Sequence, residues 1–200
     1  QEADVLPTFK PADLSFLVWA TASLGRQDDA LLAALSTQAL QGNAFLLNFR
    51  PQQLAMMVWG YAALNYWDEL LVTCVAKRLM HNDMVSELSA TDLANVVWAL
   101  GQFRVQDGDL MSAVADRMLH RQFMSQFDAR ALSHVSWALA SLGMKSPEVM
   151  AQIGRQTVQP WVLEDFTPQF IANTAWAFAV LDVQDPKVMA SLAERALKGE

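Results

Sequence analysis

Five tryptophans, Trp19, Trp59, Trp98, Trp137 and Trp176, recur at intervals of 40, 39, 39 and 39 residues through a chain of 200 residues. Each stands in one version of the same phrase: FKPADLSFLVWATASLG, FRPQQLAMMVWGYAALN, LSATDLANVVWALGQFR, FDARALSHVSWALASLG and FTPQFIANTAWAFAVLD. A period of this length marks a repeat architecture, in which each unit buries its apolar face only against its neighbours. Two further tryptophans, Trp67 and Trp161, are out of phase and fall in connecting stretches.

Each phrase reads as a helix with a marked start and stop. Lys10, Arg50, Ser89, Asp128 and Thr167 fall at the N-cap, and the last three carry a side-chain oxygen able to accept from free N–H groups. Pro11, Pro51 and Pro168 come next, where proline's missing N–H is not needed. An apolar residue before the cap (Phe9, Phe49, Leu88, Phe127 or Phe166) faces one at the fourth helical position (Leu14, Leu54, Leu93, Leu132 or Ile171), the spacing of a hydrophobic staple. Past each Trp, Gly25, Asn65, Arg104, Gly143 and Asp182 hold the place of a left-handed helix terminator, which glycine and asparagine fill best.

A second helix follows in every unit. Leu31, Leu71, Leu110, Val149 and Val188 are each four residues ahead of Leu35, Val75, Val114, Ile153 and Leu192, a helical spacing. Acids open this helix and Arg78, Arg117, Arg155 or Arg195 closes it, as the helix dipole favours. The expected fold is therefore all-α: a right-handed α-solenoid, or superhelix, of five helical-hairpin repeats of about 39 residues. The repeats run approximately 9–48, 49–87, 88–126, 127–165 and 166–200 within a single solenoid over 1–200. Ala20, Gly60, Ala99, Ala138 and Ala177 after each Trp let neighbouring helices close up. The indoles are expected to fill the gaps beside them as core, at ~3–5 kcal/mol for each Trp→Ala change.

Composition then limits function. No run is long and apolar enough for a membrane span. A single cysteine, Cys74, excludes an intramolecular disulfide and a cysteine-cluster zinc site, and its neighbours Val72, Val75 and Leu79 make it read as a buried structural thiol. There is no Gly-rich phosphate loop, Walker motif or nucleophile elbow. His81 and His120 share one repeat position at a helix end, and His134 has no partner at metal-ligand spacing. Neither catalysis nor a metal, cofactor or small-molecule substrate is expected. Fourteen basic against 21 acidic residues give a net charge of -7, whereas a simple polyanion-binding domain is basic. Either the acids lie on the outer face, or the chain contacts protein.

The units LANVVWALGQF, LSHVSWALASLG and IANTAWAFAVL resemble octotricopeptide repeats, the helical hairpins of organellar proteins related to RAP-domain and FAST-kinase-like proteins. The resemblance covers essentially the whole chain. It implies an α-solenoid that binds single-stranded RNA sequence-selectively in a chloroplast or mitochondrion and acts on transcript stability, processing or translation. The alternative is a non-catalytic protein–protein scaffold or accessory subunit of a large organellar complex.

One side of the first helix varies from repeat to repeat. Three positions before the Trp the residues are Phe16, Met56, Asn95, His134 and Asn173; one turn earlier they are Ala12, Gln52, Thr91, Arg130 and Gln169. Four past the Trp stand Ser23, Ala63, Gln102, Ser141 and Val180. Variation at fixed points over a constant core suits a reader of one base per repeat, and five units would then read ~5 nucleotides. A solvated stripe without a ligand is the alternative, and Phe16 and Met56 lean toward it. Arg78, Arg117 and Arg195 share one place in the second helix, with Arg155 one position earlier, and are candidates for phosphate contact. No basic-then-apolar leader follows Gln1, and Leu181 and Val183 would be partly bare in the last unit, so further elements or a partner are expected beyond the ends.

Overall fold

A computed structural model of the chain describes residues 5–41 and 45–198. Among them there is no strand, and ten long helices carry the fold. They are α1 (Pro11–Ser23), α2 (Asp29–Ala39), α3 (Pro51–Ala63), α4 (Glu69–Met80), α5 (Ala90–Phe103), α6 (Gly108–Leu119), α7 (Ala129–Ser141), α8 (Pro147–Thr157), α9 (Pro168–Val180) and α10 (Pro186–Leu197). They pair in chain order into five hairpins, so the fold is all-α and of the helical-repeat, solenoid class. The chain divides into two compact units, Gln1–Asp92 and Leu93–Glu200.

The starts follow the sequence closely. The side-chain oxygens of Ser89, Asp128 and Thr167 accept from the N–H groups of Asp92, Ala131 and Phe170 at 3.1, 2.7 and 3.3 Å. At Lys10 and Arg50, which have no acceptor to offer, the cap's own N–H donates to Asp13 Oδ2 and Gln53 Oε1, both at 2.8 Å. Four of the five second helices are capped by Asp28, Asp68, Asp107 and Asp185, each accepting from the N–H three residues on at 2.9–3.1 Å.

The stops are uniform. Gly25, Asn65, Arg104, Gly143 and Asp182 all have φ between 52° and 66°. The next N–H in each case returns five residues, as from Arg26 to Thr21 and from Val183 to Phe178, at 2.9–3.0 Å. This is the Schellman closure, which saturates carbonyls the helix leaves open. Arg104 and Asp182 adopt a conformation that disfavours a Cβ, because the chain has to leave each first helix in the same direction.

Packing places the core on one side of each first helix. Leu14, Leu54, Leu93 and Leu132 are fully buried, and so are Phe49, Leu88, Phe127 and Phe166 before the caps. In the first unit α1 packs along α3, and in the second α7 packs along α9. A Cβ on Gly60 would lie 2.5 Å from Val18 Cγ1, and one on Gly101 would lie 2.8 Å from Ala138 Cβ, so the small residues do mark close approaches.

Three expectations need correction. The repeat tryptophans are not core: Trp19 and Trp176 are 46% and 44% exposed, and Trp59, Trp98 and Trp137 are half-buried. The core face is centred on the positions five and one before the Trp and two after it, about 120° round the helix from the indole. Leu181 is buried and not partly bare, while Val183 is half-buried. Cys74 is half-buried, because it lines a surface cleft beside Leu47 and Lys77.

Two stability measurements check this account. Asp182→Gly should raise the unfolding free energy by about 0.5–1 kcal/mol in urea melts, as left-handed strain is relieved against greater chain freedom. Trp176→Ala should cost only about 1 kcal/mol, since much of the indole is already in water; a loss of 3 kcal/mol or more would restore the core reading.

Candidate nucleic-acid interface

The repeat tryptophans and the variable stripe are one feature. At about 100° per residue, the positions seven before, four after and three before the Trp fall at about 20°, 40° and 60° from it. Each first helix therefore shows solvent an arc holding the indole and its variable neighbours. Gln52, Thr91, Arg130 and Gln169 are exposed, as is Gln102, while Met56, Asn95, His134 and Asn173 are half-buried.

In the second unit these side chains come together across α5, α7 and α9. The Trp98 ring stacks on His134 with centroids 5.4 Å apart and planes 25° from parallel. Trp98 also lies 6.4 Å from Trp137, tilted by 39°. A groove of about 400 Å³ is walled by Trp137 and Trp176, with Gln102, Arg104 and Ser141 along it. Aromatic walls beside amide, hydroxyl and guanidinium groups provide what a flat, polar-edged ring needs: faces to stack on and donors for its edge. In the first unit the same arc carries Phe16, 60% exposed, and the half-buried Met56 alongside the exposed Ser23 and Gln52.

His134 is held neutral at the centre of the row. Burial pushes its pKa down from 6.5 to about 4, and the charge of Arg130 adds to the effect. Its Nδ1 is buried without a hydrogen bond. A neutral imidazole stacks on Trp98 and keeps a polar edge.

The candidate phosphate arginines divide. Arg78 Nη2 donates to Leu47 O at 3.1 Å, and Arg195 Nη2 donates to Glu164 O at 3.0 Å. Gln156, at the same repeat position, donates through Nε2 to Ser125 O and Phe127 O at 3.4 and 3.2 Å. Each accepting carbonyl at Leu47, Ser125 and Glu164 lies two residues before the buried Phe49, Phe127 or Phe166, so this position clamps the connecting segment onto its own second helix. The Nε atoms of Arg78 and Arg195 are buried, and so is Arg78 Nη1. The Arg117 guanidinium sits 3.9 Å from the centroid of the Phe123 ring. These three serve the fold, whereas Arg155 is exposed and lines a separate cleft.

Reasoning from the sequence missed the tryptophans and Arg104 as surface groups. The signal was present: the indole sits at the edge of the variable arc, and a core residue in that place contradicts the apolar side opposite. In the sequence Arg104 stands at the place of a helix terminator, and nothing local marks it as a surface cation.

Fold and surface together define a helical-repeat protein whose first helices expose a row of aromatic and polar side chains. More particularly, the chain belongs to the RNA-editing substrate-binding complex 6 protein family, which matches residues 6–199. That match supports a helical, RNA-related family without singling out octotricopeptide repeats. A search of the curated proteins finds no match to the chain. Among the described residues no helix is long and apolar enough to cross a membrane, and no group of His, Cys, Asp and Glu stands together to hold a metal.

The His134 environment makes a pH prediction. Because the folded pKa lies below the unfolded value of 6.5, the stability that this site contributes is intact above pH 6.5. It is lost as pH falls toward about 4, where the unfolded chain takes up a proton that the folded chain refuses. An NMR titration should place the His134 midpoint near 4; a midpoint near 6.5 would show an imidazole open to water.

Proposed function

We propose that this chain is a non-catalytic subunit of an RNA-editing substrate-binding complex, and that it holds single-stranded RNA along the tryptophan row of its second unit. The observation that carries this reading is the stack of Trp98 on His134 next to the groove between Trp137 and Trp176. Bases unpaired in a single strand stack on such faces at about 1–3 kcal/mol each. The family's description, as a protein of an RNA-editing substrate-binding complex, points to RNA and to a multi-subunit assembly. The row supplies the surface that RNA would need.

Selectivity in this proposal comes from the variable neighbours. Asn95 and Asn173 offer amides for base edges, Arg130 and His134 offer stacking or donors, and Gln102 and Gln169 flank them on the arc. The setting is an organelle, as the family resemblance implies, and the role is to present transcripts for processing, stabilisation or translation. The apolar members of the arc in the first unit favour a second use of the same fold. Phe16, Met56 and Trp19 suit a protein partner within the assembly more than they suit RNA.

Selection from a random RNA pool, followed by anisotropy titrations, tests this. Trp137→Ala and Trp176→Ala should each weaken binding by roughly 5- to 100-fold. Asn95→Ala and Asn173→Ala should relax base preference at single positions. Phe16→Ser should leave RNA affinity unchanged. A wild-type chain that enriches no motif and binds no RNA would overturn the proposal.

A further inference from the structure

A second cleft, of about 490 Å³, lies in the Leu93–Glu200 unit away from the tryptophan row. Its walls come from the one-turn helix Arg121–Met124, from α8, from the connecting turn Pro160–Leu163 and from the start of α10. Three cations line it, Arg121, Arg155 and Lys187, together with Trp161, and no carboxylate does. All three cations are exposed, and among the described residues none of them is ion-paired. In a chain of net charge -7, three uncompensated positive charges around one concavity are the reverse of what the composition would distribute there.

The walls are fixed, which separates this cleft from a chance gathering of surface side chains. Gln156 is buried and ties α8 to the backbone of Ser125 and Phe127. Gln159 Nε2 donates to Arg155 O at 2.9 Å, and Arg155 Nε donates to Gln152 Oε1 at 3.3 Å, which holds the guanidinium at the rim. Asp185, the acid closest in sequence to Lys187, is occupied in accepting from the N–H groups of Lys187 and Val188. Trp161 is 66% exposed although it sits in an ordered turn. It is also one of the two tryptophans outside the repeat phase, so packing between repeats does not explain it.

We infer that this cleft is a second contact for single-stranded RNA, taking phosphates on Arg121, Arg155 and Lys187 and a base on the face of Trp161. The inference rests on the RNA-binding reading but uses none of the residues of the tryptophan row. Its chemistry is complementary: the row supplies aromatic faces and amide edges with little charge, and the cleft supplies the backbone neutralisation that affinity for a polyanion requires.

Binding of a fluorescent 12-nucleotide oligouridylate to the full chain, titrated across KCl concentration, tests it. Arg155→Gln with Lys187→Gln should weaken binding roughly tenfold and flatten the salt slope by about 1.4, the value for two lost phosphate contacts on a single strand. Trp161→Leu should weaken binding by about fivefold or more with the slope unchanged. All three residues are exposed, so folding is not at stake, and Trp137→Ala serves as the control on the row. If the cleft variants match wild type while Trp137→Ala weakens binding, the cleft inference falls and the row reading stands. If wild type binds no RNA, both fall. If polyglutamate binds wild type as tightly as the oligonucleotide does and Trp161→Leu changes neither, the cleft takes an acidic protein and the inference is overturned.

Discussion

Successive first helices in each unit approach so closely at Gly60 against Val18, and at Gly101 against Ala138, that a methyl group would not fit without a shift. This contact determines the rest. Helices this near can bury only a limited face between them, which in the first four repeats is filled by Leu14, Leu54, Leu93 and Leu132 and by the small and β-branched residues around them. The Trp137 indole lies at the edge of that seam, 3.3 Å from where a Cβ on Gly101 would sit, and stays only half-buried. Each repeat thus leaves part of one indole open to solvent at the edge of its packing face.

The connecting segments follow from the same need to keep register. Each first helix ends in a left-handed residue, even where that residue is Arg104 or Asp182, because the second helix has to start from the same direction every time. Each connection back to the next repeat is pinned by a buried phenylalanine or leucine, and in three repeats by a side chain from the second helix. Arg78, Gln156 and Arg195 perform that pinning with two different chemistries, guanidinium and amide, which share only the ability to donate to a carbonyl. That equivalence explains why a row of cations in the sequence is not a row of free charges in the structure. It also isolates Arg155, one position earlier, on the open side of the helix.

The charge balance is reconciled in the same terms. Acids cap the second helices at Asp28, Asp68, Asp107 and Asp185, where backbone N–H groups hold them, so much of the negative count is structural. The uncommitted positive charge of Arg121, Arg155 and Lys187 is gathered around one cleft. Net charge alone argued against a polyanion partner; its placement reverses the argument for one surface of the second unit.

Periodicity, caps and terminators fixed the hairpins from sequence, because each of these signals acts within a few residues of itself. A Ser89 or Asp128 caps the helix that follows whatever else surrounds it, and a Trp at constant phase makes every repeat alike. The variable arc was legible for the same reason, since angular position on a helix is a local property. What the sequence left open was which side of that helix would be covered, and hence whether Trp98 and Trp176 were core or surface. Only packing between repeats decides that, as it also decides which arginine reaches a carbonyl and which, like Arg155, meets Lys187 and Arg121 from elements tens of residues away. Burial and convergence are properties of elements brought together, and no single segment of the chain contains them.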